Sequence, residues 1–241
     1  MTNLNSYTKI YTITTNYLDR FDTLSPKGIL DLFQDIASRH AAMLNADYSD
    51  MMKLGLMWVI ARNHIKIVKD MPYGEDVIVE TWPLKPSRFY YDRMYLIKTL
   101  GGDTLVKGRS RWILMNHQTR RMESSLRYTY PLDDYLNVDL FDDDYPIIAK
   151  LQRDKPSFTH QVLLSELDHN MHFNNSRYAE VVYNILGQKE KSAIEDMYLY
   201  YHSEVKLDDV IVLQANVIGN YTYISGYVGE TLVFASLVIL R

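Results

Sequence analysis

Residues 168–175 read Asp-His-Asn-Met-His-Phe-Asn-Asn, a polar stretch lying directly before a run with helical spacing. In an extended segment the alternating positions Asp168, Asn170 and His172 would place an acid, an amide and an imidazole on one side. The helix start beside them offers unpaired N–H groups and a positive dipole end, suited to an oxyanion that develops as a carbonyl is attacked. These types at this spacing point to acyl chemistry. Capping explains part of the stretch, because Asn174 or Asn175 is a suitable N-cap, but a helix needs one cap and not six polar neighbours. No metal site is expected: with His160 upstream and Asp168 adjacent, the three-residue separation of His169 and His172 does not bring two rings to one ion as a helical i, i+4 pair would.

The elements that must position this segment follow from periodicity. Residues 8–17 alternate and are rich in β-branched types, as in a strand. From Ser25 and Pro26, residues suited to cap and open a helix, Ile29, Leu30, Leu32, Phe33, Ile36, Ala37 and Ala41 recur at helical spacing. Strand-like runs follow at 57–67, 76–83, 88–99 and 104–116. Residues 133–156 are acidic, contain prolines and lack apolar periodicity, which predicts a linker. The order then begins again, with a strand at 157–164, a helix over about 175–187, and strands at 197–205, 209–218, 221–229 and 231–240.

Strand, turn, helix and strands thus occur twice, and residues 75–79 even match 208–212 in letters, so the chain reads as a duplication. Each unit must bury its helix against an antiparallel sheet, because both elements have one apolar face. The expected architecture is α+β: two tandem hotdog repeats, 1–132 and 157–241, joined by the 133–156 linker and sharing one double-hotdog sheet.

Several stretches resemble the acyl–acyl carrier protein thioesterases, the plant fatty acyl types and their bacterial relatives. Asp168-x-Asn170-x-His172-Phe173-Asn174-Asn175-x-x-Tyr178 is similar to the family signature, with Phe173 in place of the usual valine. Met57-Trp58-Val59-Ile60-Ala61-Arg62 resembles the family's Trp-Val-x-x-Arg strand, and the run from Ser110 to Arg121 resembles the end of its first repeat. Glu204-Val205-x-x-Asp208 resembles a Glu-Cys-x-x-Asp segment in which valine replaces the cysteine. The resemblance implies hydrolysis of fatty acyl carrier-protein thioesters, with Asp168, Asn170, His172 and Glu204 as the catalytic set and Asn174, Met57, Trp58 and Arg62 as substrate-binding residues. It implies Glu204 as general base for an attacking water, with Asp168 orienting His172. Neither a disulfide nor a cysteine nucleophile is available, since the chain has no cysteine.

Aligning residues 21–25 with 171–175 puts Leu18, Arg20 and Asp22 opposite Asp168, Asn170 and His172, and Met71 opposite Glu204. The first repeat is therefore expected to be catalytically blank and to shape the acyl pocket, with Met43, Met51, Met52 and Met57 as candidate lining. Ten lysines and arginines between Lys85 and Arg127, among them Arg88, Arg93, Arg109, Arg111, Arg120 and Arg121, suggest a basic strip that could dock an acidic acyl carrier protein.

A net charge of −4 argues against nucleic acid as the main partner. The absence of a signal-like start or an apolar run of about 18 residues favours a cytoplasmic protein without a membrane span. No nucleotide cofactor is expected, as no phosphate-binding glycine loop is present. Hotdog units usually pair, so a homodimer is compatible with the sequence. The alternatives are a thioesterase acting on coenzyme A esters and a non-catalytic acyl-binding protein, because fold alone does not fix the reaction.

Overall fold

The computed structural model describes residues 4–70, 73–148, 158–187 and 194–241. The first repeat holds β1 (Tyr7–Thr12), α1 (Pro26–Met43), α2 (Tyr48–Lys53), β2 (Leu56–Ile67), β3 (Asp76–Pro83), β4 (Tyr90–Thr99), β5 (Thr104–Asn116) and the short β6 (Met122–Glu123). The second holds β7 (Phe158–Gln161), α3 (Arg177–Leu186), β8 (Ile194–Tyr201), β9 (Val210–Ile218), β10 (Tyr221–Val228) and β11 (Thr231–Leu240). All strands join one antiparallel sheet in the order β1-β3-β4-β5-β2-β8-β11-β10-β9-β7, with β6 added to β5. The order is the same read from either end once β1 is matched to β7, β3 to β9, β4 to β10, β5 to β11 and β2 to β8. This is a double hotdog with a pseudo-two-fold axis at the β2–β8 seam, where Arg62 to Lys66 pair with Tyr200 to Asp196.

α1 forms where its capping signals stand: Ser25 Oγ accepts from the Gly28 N–H at 2.9 Å, and Pro26 occupies the first turn. Its apolar face, including Ile29, Leu32, Phe33 and Ile36, is buried against the sheet. Contact is close enough that Phe33 lies over Gly108 of β5 and stacks on Tyr95 of β4 with ring centres 4.3 Å apart.

The stretch expected to be a linker does more than connect. Tyr135 still packs with the helix-side cluster of Tyr91 and Tyr130, and residues 138–148 cross the sheet face opposite the helices as a strap; residues 149–156 of the expected linker lie outside the described residues. The Trp82 indole donates to Val138 O at 2.8 Å, and the Tyr145 hydroxyl to Arg109 O at 3.0 Å. Phe141 covers His64, whose other face stacks on Tyr198 across the seam. Irregular chain therefore seals the central strands where no helix covers them, and the aromatic residues in an acidic segment are its anchors.

The duplication holds, but the register of the matching letters shifts by one residue. Ile13 and Val162 exchange backbone hydrogen bonds with Gly74 and Glu75, and with Asp208 and Asp209, respectively. Glu75 is therefore equivalent to Asp209, and the matching letters of 75–79 and 208–212 are out of structural register.

A Cβ at position 108 would lie 2.1 Å from Phe33 Cε2, and Tyr95 behind the ring leaves it nowhere to retreat. Gly108→Ala is predicted to lower stability by about 1–3 kcal/mol, read as a lower midpoint in urea. An unchanged midpoint would contradict this packing.

Candidate functional site

The 168–172 segment is a tight loop and not an extended run. Leu167 and Phe173 bridge across its base, Met171 adopts a left-handed φ of 64°, and the Asp168 N–H donates to His172 O at 2.8 Å. Asp168 Oδ1 lies inside the turn, accepting the backbone N–H groups of Asn170 at 2.8 Å and His172 at 3.2 Å. Alternation therefore does not govern this segment, because side-chain-to-backbone bonds of the kind that build Asx turns bend it.

The same loop occurs in the first repeat. Leu18 bridges Leu24, Asp22 has a φ of 57°, and Asp19 Oδ1 accepts from the N–H groups of Phe21 at 2.9 Å and Thr23 at 3.1 Å. Asp19, Phe21 and Thr23 thus correspond to Asp168, Asn170 and His172, one residue away from the expected alignment with Leu18, Arg20 and Asp22. An aspartate that builds the same turn in both repeats is a loop-forming residue. What is unique to the second repeat is the amide and the imidazole.

Glu204 lies in the turn after β8, beyond the strand expected to carry it. This turn is tied to the loop by the Phe173 N–H, which donates to Val205 O at 2.8 Å. His172 Nε2 consequently stands 3.2 Å from Glu204 Oε2, with 23% of the His172 side chain and 40% of the Glu204 side chain exposed. In the first repeat Val68 and Lys69 donate to Leu105 O as His202 and Ser203 donate to Val233 O, which makes Asp70 the counterpart of Glu204. The expected counterpart, Met71, lies outside the described residues.

The first repeat also enters the site. Arg120 Nη2 pairs with Glu204 Oε1, Arg120 Nη1 lies 3.1 Å from Met57 Sδ, and Tyr48 of α2 meets His169 edge-on at 5.0 Å. Nothing in the sequence linked Arg120 to Glu204, because the contact crosses the seam. Burial pushes the His172 imidazole below the ordinary histidine range, with Arg120 and Lys206 acting in the same direction and Asp168 opposing them. The neutral ring, acting as an Nε2–H donor, can hold the Glu204 carboxylate in a fixed direction. Asn170 is exposed, and its side-chain amide has no partner among the described residues.

Other expected site residues are placed elsewhere. Asn174 Oδ1 is engaged by the Ser176 N–H at 3.0 Å and Ser176 Oγ at 3.1 Å, so that atom is held inside its own turn. The N-cap position of α3 belongs to Ser176, not to Asn174 or Asn175, and carries no side-chain cap. Trp58 faces the helices, donating to Ala46 O at 3.0 Å, within an aromatic cluster that includes Tyr91 and Tyr130. Arg62 is on the opposite face, over the rings of Tyr145 and Tyr200, because a bulge between Ile60 and Arg62 interrupts the alternation of β2. Of the candidate pocket methionines, Met51 is fully buried while Met43 is exposed.

Three of the six docking arginines are not at the surface. Arg93 is 4% exposed and donates to His40 Nδ1 at 3.0 Å between α1 and the sheet. Arg109 is equally buried, donating to Asp143 O under the strap. Arg111 is held by Asp92 and Asp144. Arg88, Arg120 and Arg121 remain exposed.

Residues 4–127 match the family described as Acyl-ACP thioesterase N-terminal domain, and residues 149–228 match its C-terminal domain. The chain is 26% identical over 230 residues to oleoyl-acyl carrier protein thioesterase 1, chloroplastic, of Arabidopsis thaliana, covering 86% of this chain and 62% of that protein. It is likewise 26% identical over 210 residues to the Coriandrum sativum oleoyl enzyme, covering 78% of this chain and 56% of that one. The chain therefore spans about six-tenths of the length of these curated relatives. In fold it is similar to a crystal structure of an acyl-ACP thioesterase from Bacteroides thetaiotaomicron, with a TM-score of 0.88, 21% identity and 98% of each chain covered. It is similar also to the 12:0-ACP thioesterase of Umbellularia californica, with a TM-score of 0.83, 22% identity, and 100% of this chain and 98% of that one covered. Matched in order by both domains, over most of its length, the chain belongs to the acyl-ACP thioesterase family.

Proposed function

We propose that this protein hydrolyses fatty acyl–acyl carrier protein thioesters to free fatty acid and carrier thiol. The observation that carries the reading is the 3.2 Å contact of His172 Nε2 with Glu204 Oε2 at the seam of the two repeats. In the proposed reaction a water oxygen attacks the thioester carbonyl carbon as Glu204 takes a proton from the water. The carbon–sulfur bond then breaks, and the departing sulfur receives that proton, directly or through His172. The exposed Asn170 amide is available to the water or to the developing oxyanion. Asp168 supports the chemistry by fixing the backbone of the loop that presents Asn170 and His172. The first repeat, with Trp58 and its aromatic cluster, is proposed to receive the acyl tail.

Carrier docking is assigned to the exposed Arg88 and Arg121, Arg120 being engaged by Glu204, beside Leu126 and Met122, which are 93% and 47% exposed. Cationic groups around apolar contacts suit an acidic partner that must also be held in register.

His172→Ala and Glu204→Ala should each lower kcat by about 100-fold or more on a carrier-linked thioester, with unchanged circular dichroism. Unchanged turnover in both would remove the pair from the reaction, and no turnover by the unaltered protein would favour a non-catalytic acyl-binding protein. Release of fatty acid from coenzyme A esters alone would overturn the carrier preference. Because the His172 imidazole is held below its ordinary pKa, activity should persist below pH 6.5 and be lost as acidification protonates the His172–Glu204 pair. Loss centred above that pH would contradict a depressed imidazole. The double variant Arg88→Glu/Arg121→Glu should raise KM for carrier-linked substrates and spare coenzyme A esters.

A further inference from the structure

The acid that follows the central strand of each repeat is met by an arginine from the other repeat. Glu204 after β8 pairs with Arg120, which follows β5. Asp70 after β2 pairs with Arg241, which follows β11, at 3.5 Å; the same guanidinium donates to Ile67 O at 3.1 Å. The two pairs sit at opposite ends of the seam, related by the pseudo-two-fold axis. They differ in what faces the acid's loop, for Thr23 occupies in the first repeat the position that His172 occupies in the second.

Arg120 is placed by a tight hairpin. Asn116 Oδ1 accepts the N–H groups of Gln118 and Thr119, the Arg120 N–H returns to Asn116 O at 3.0 Å, and Arg120 closes the turn with a φ of 55°. Its side chain thus leaves a fixed backbone toward Glu204, with Met57 alongside.

We infer that Arg120 is a positioning residue of the site: it holds Glu204 through Oε1, so that Oε2 is presented to His172. This deepens the proposed hydrolase reading and rests on it. A glutamate on a turn and 40% exposed would otherwise exchange among rotamers. A charge-assisted bond from a guanidinium to one oxygen removes that freedom. The charges facing the imidazole are Asp168, Glu204, Arg120 and Lys206, so loss of Arg120 leaves one cation against two acids. The His172–Glu204 pair should then protonate at higher pH. Arg120 also makes the first repeat a contributor to the site, although its own loop has lost the amide and the imidazole.

The test uses the full chain as Arg120→Met, Arg120→Lys and, as a seam control, Arg241→Met. With a carrier-linked thioester, Arg120→Met should lower kcat by about 10- to 100-fold with KM changed by less than about threefold. Its acid limb should move to higher pH, and Arg120→Lys should restore most of the pH profile. Arg241→Met should lower thermal stability and leave kcat and the pH profile unchanged. The inference is overturned if Arg120→Met keeps the unaltered kcat and pH profile, if its defect is confined to KM, or if Arg241→Met produces the same shift. Should Arg120→Met not fold, the Lys variant decides: a pH profile shifted as far as its stability falls would overturn positioning. If the unaltered protein hydrolyses no thioester, the hydrolase reading fails separately. The His172 imidazole pKa, read by NMR, then decides the inference: it must rise in Arg120→Met, and an unmoved value sinks it.

Discussion

Antiparallel pairing of β2 with β8 is the constraint on which the molecule depends. Each repeat has a helix on one sheet face and would by itself leave the long central strand as an open edge, with unpaired N–H and C=O groups along it. Pairing those two edges satisfies the backbone and fuses two sheets into one. It also fixes what lies at the ends of the seam. The turn after β8 arrives beside the hairpin that follows β5, and only through that approach does Glu204 meet Arg120. The site is therefore a product of the junction as much as of the loop bearing His172.

A seam of this kind needs cover on both faces. The helices supply it on one side, and the 138–148 strap on the other. His64 and Asp196 are buried together 2.6 Å apart, and Lys66 lies 3.2 Å from the same carboxylate, so charge taken out of water at the seam is met by partners within it. Phe141 and Tyr198 close over the His64 ring, and Arg109 and Arg111 bind the acidic strap to the sheet. Positive charge in β5 and negative charge in the strap are thus largely consumed within the chain. The basic strip is divided by the pleat: some of its members hold the strap, Arg93 enters the interior beside His40, and a smaller exposed set remains near the β5–β6 hairpin.

Comparison of the two repeats separates what builds a loop from what equips it. Asp19 and Asp168 receive the same backbone donors and produce the same left-handed residue three positions on. The aspartate is needed wherever this turn is made, and its presence alone says nothing of chemistry. Phe21 and Thr23 replace the amide and the imidazole in the first repeat, while Asp70 and Arg241 preserve the cross-repeat ion pair.

The elements and their duplication were legible in the sequence, because helix caps such as Ser25, the periodicity of Ile29 to Ala41 and the strand runs are local signals. It also marked 168–172 and Glu204 as residues of interest, through motif rather than through geometry. The rest depends on contacts between residues distant in the chain. Alternation could not reveal that Asp168 turns inward, since a side chain that bonds its own backbone overrides an extended conformation. The face of Arg62 depended on a bulge, and the burial of Arg93 and Arg109 and the pairing of Arg111 on neighbours far away in sequence. Repeat register was fixed by hydrogen bonds, where letters alone misplaced it by one residue. Arg120 and Glu204, 84 positions apart, meet only because β2 and β8 pair, and no local pattern encodes a contact across that seam.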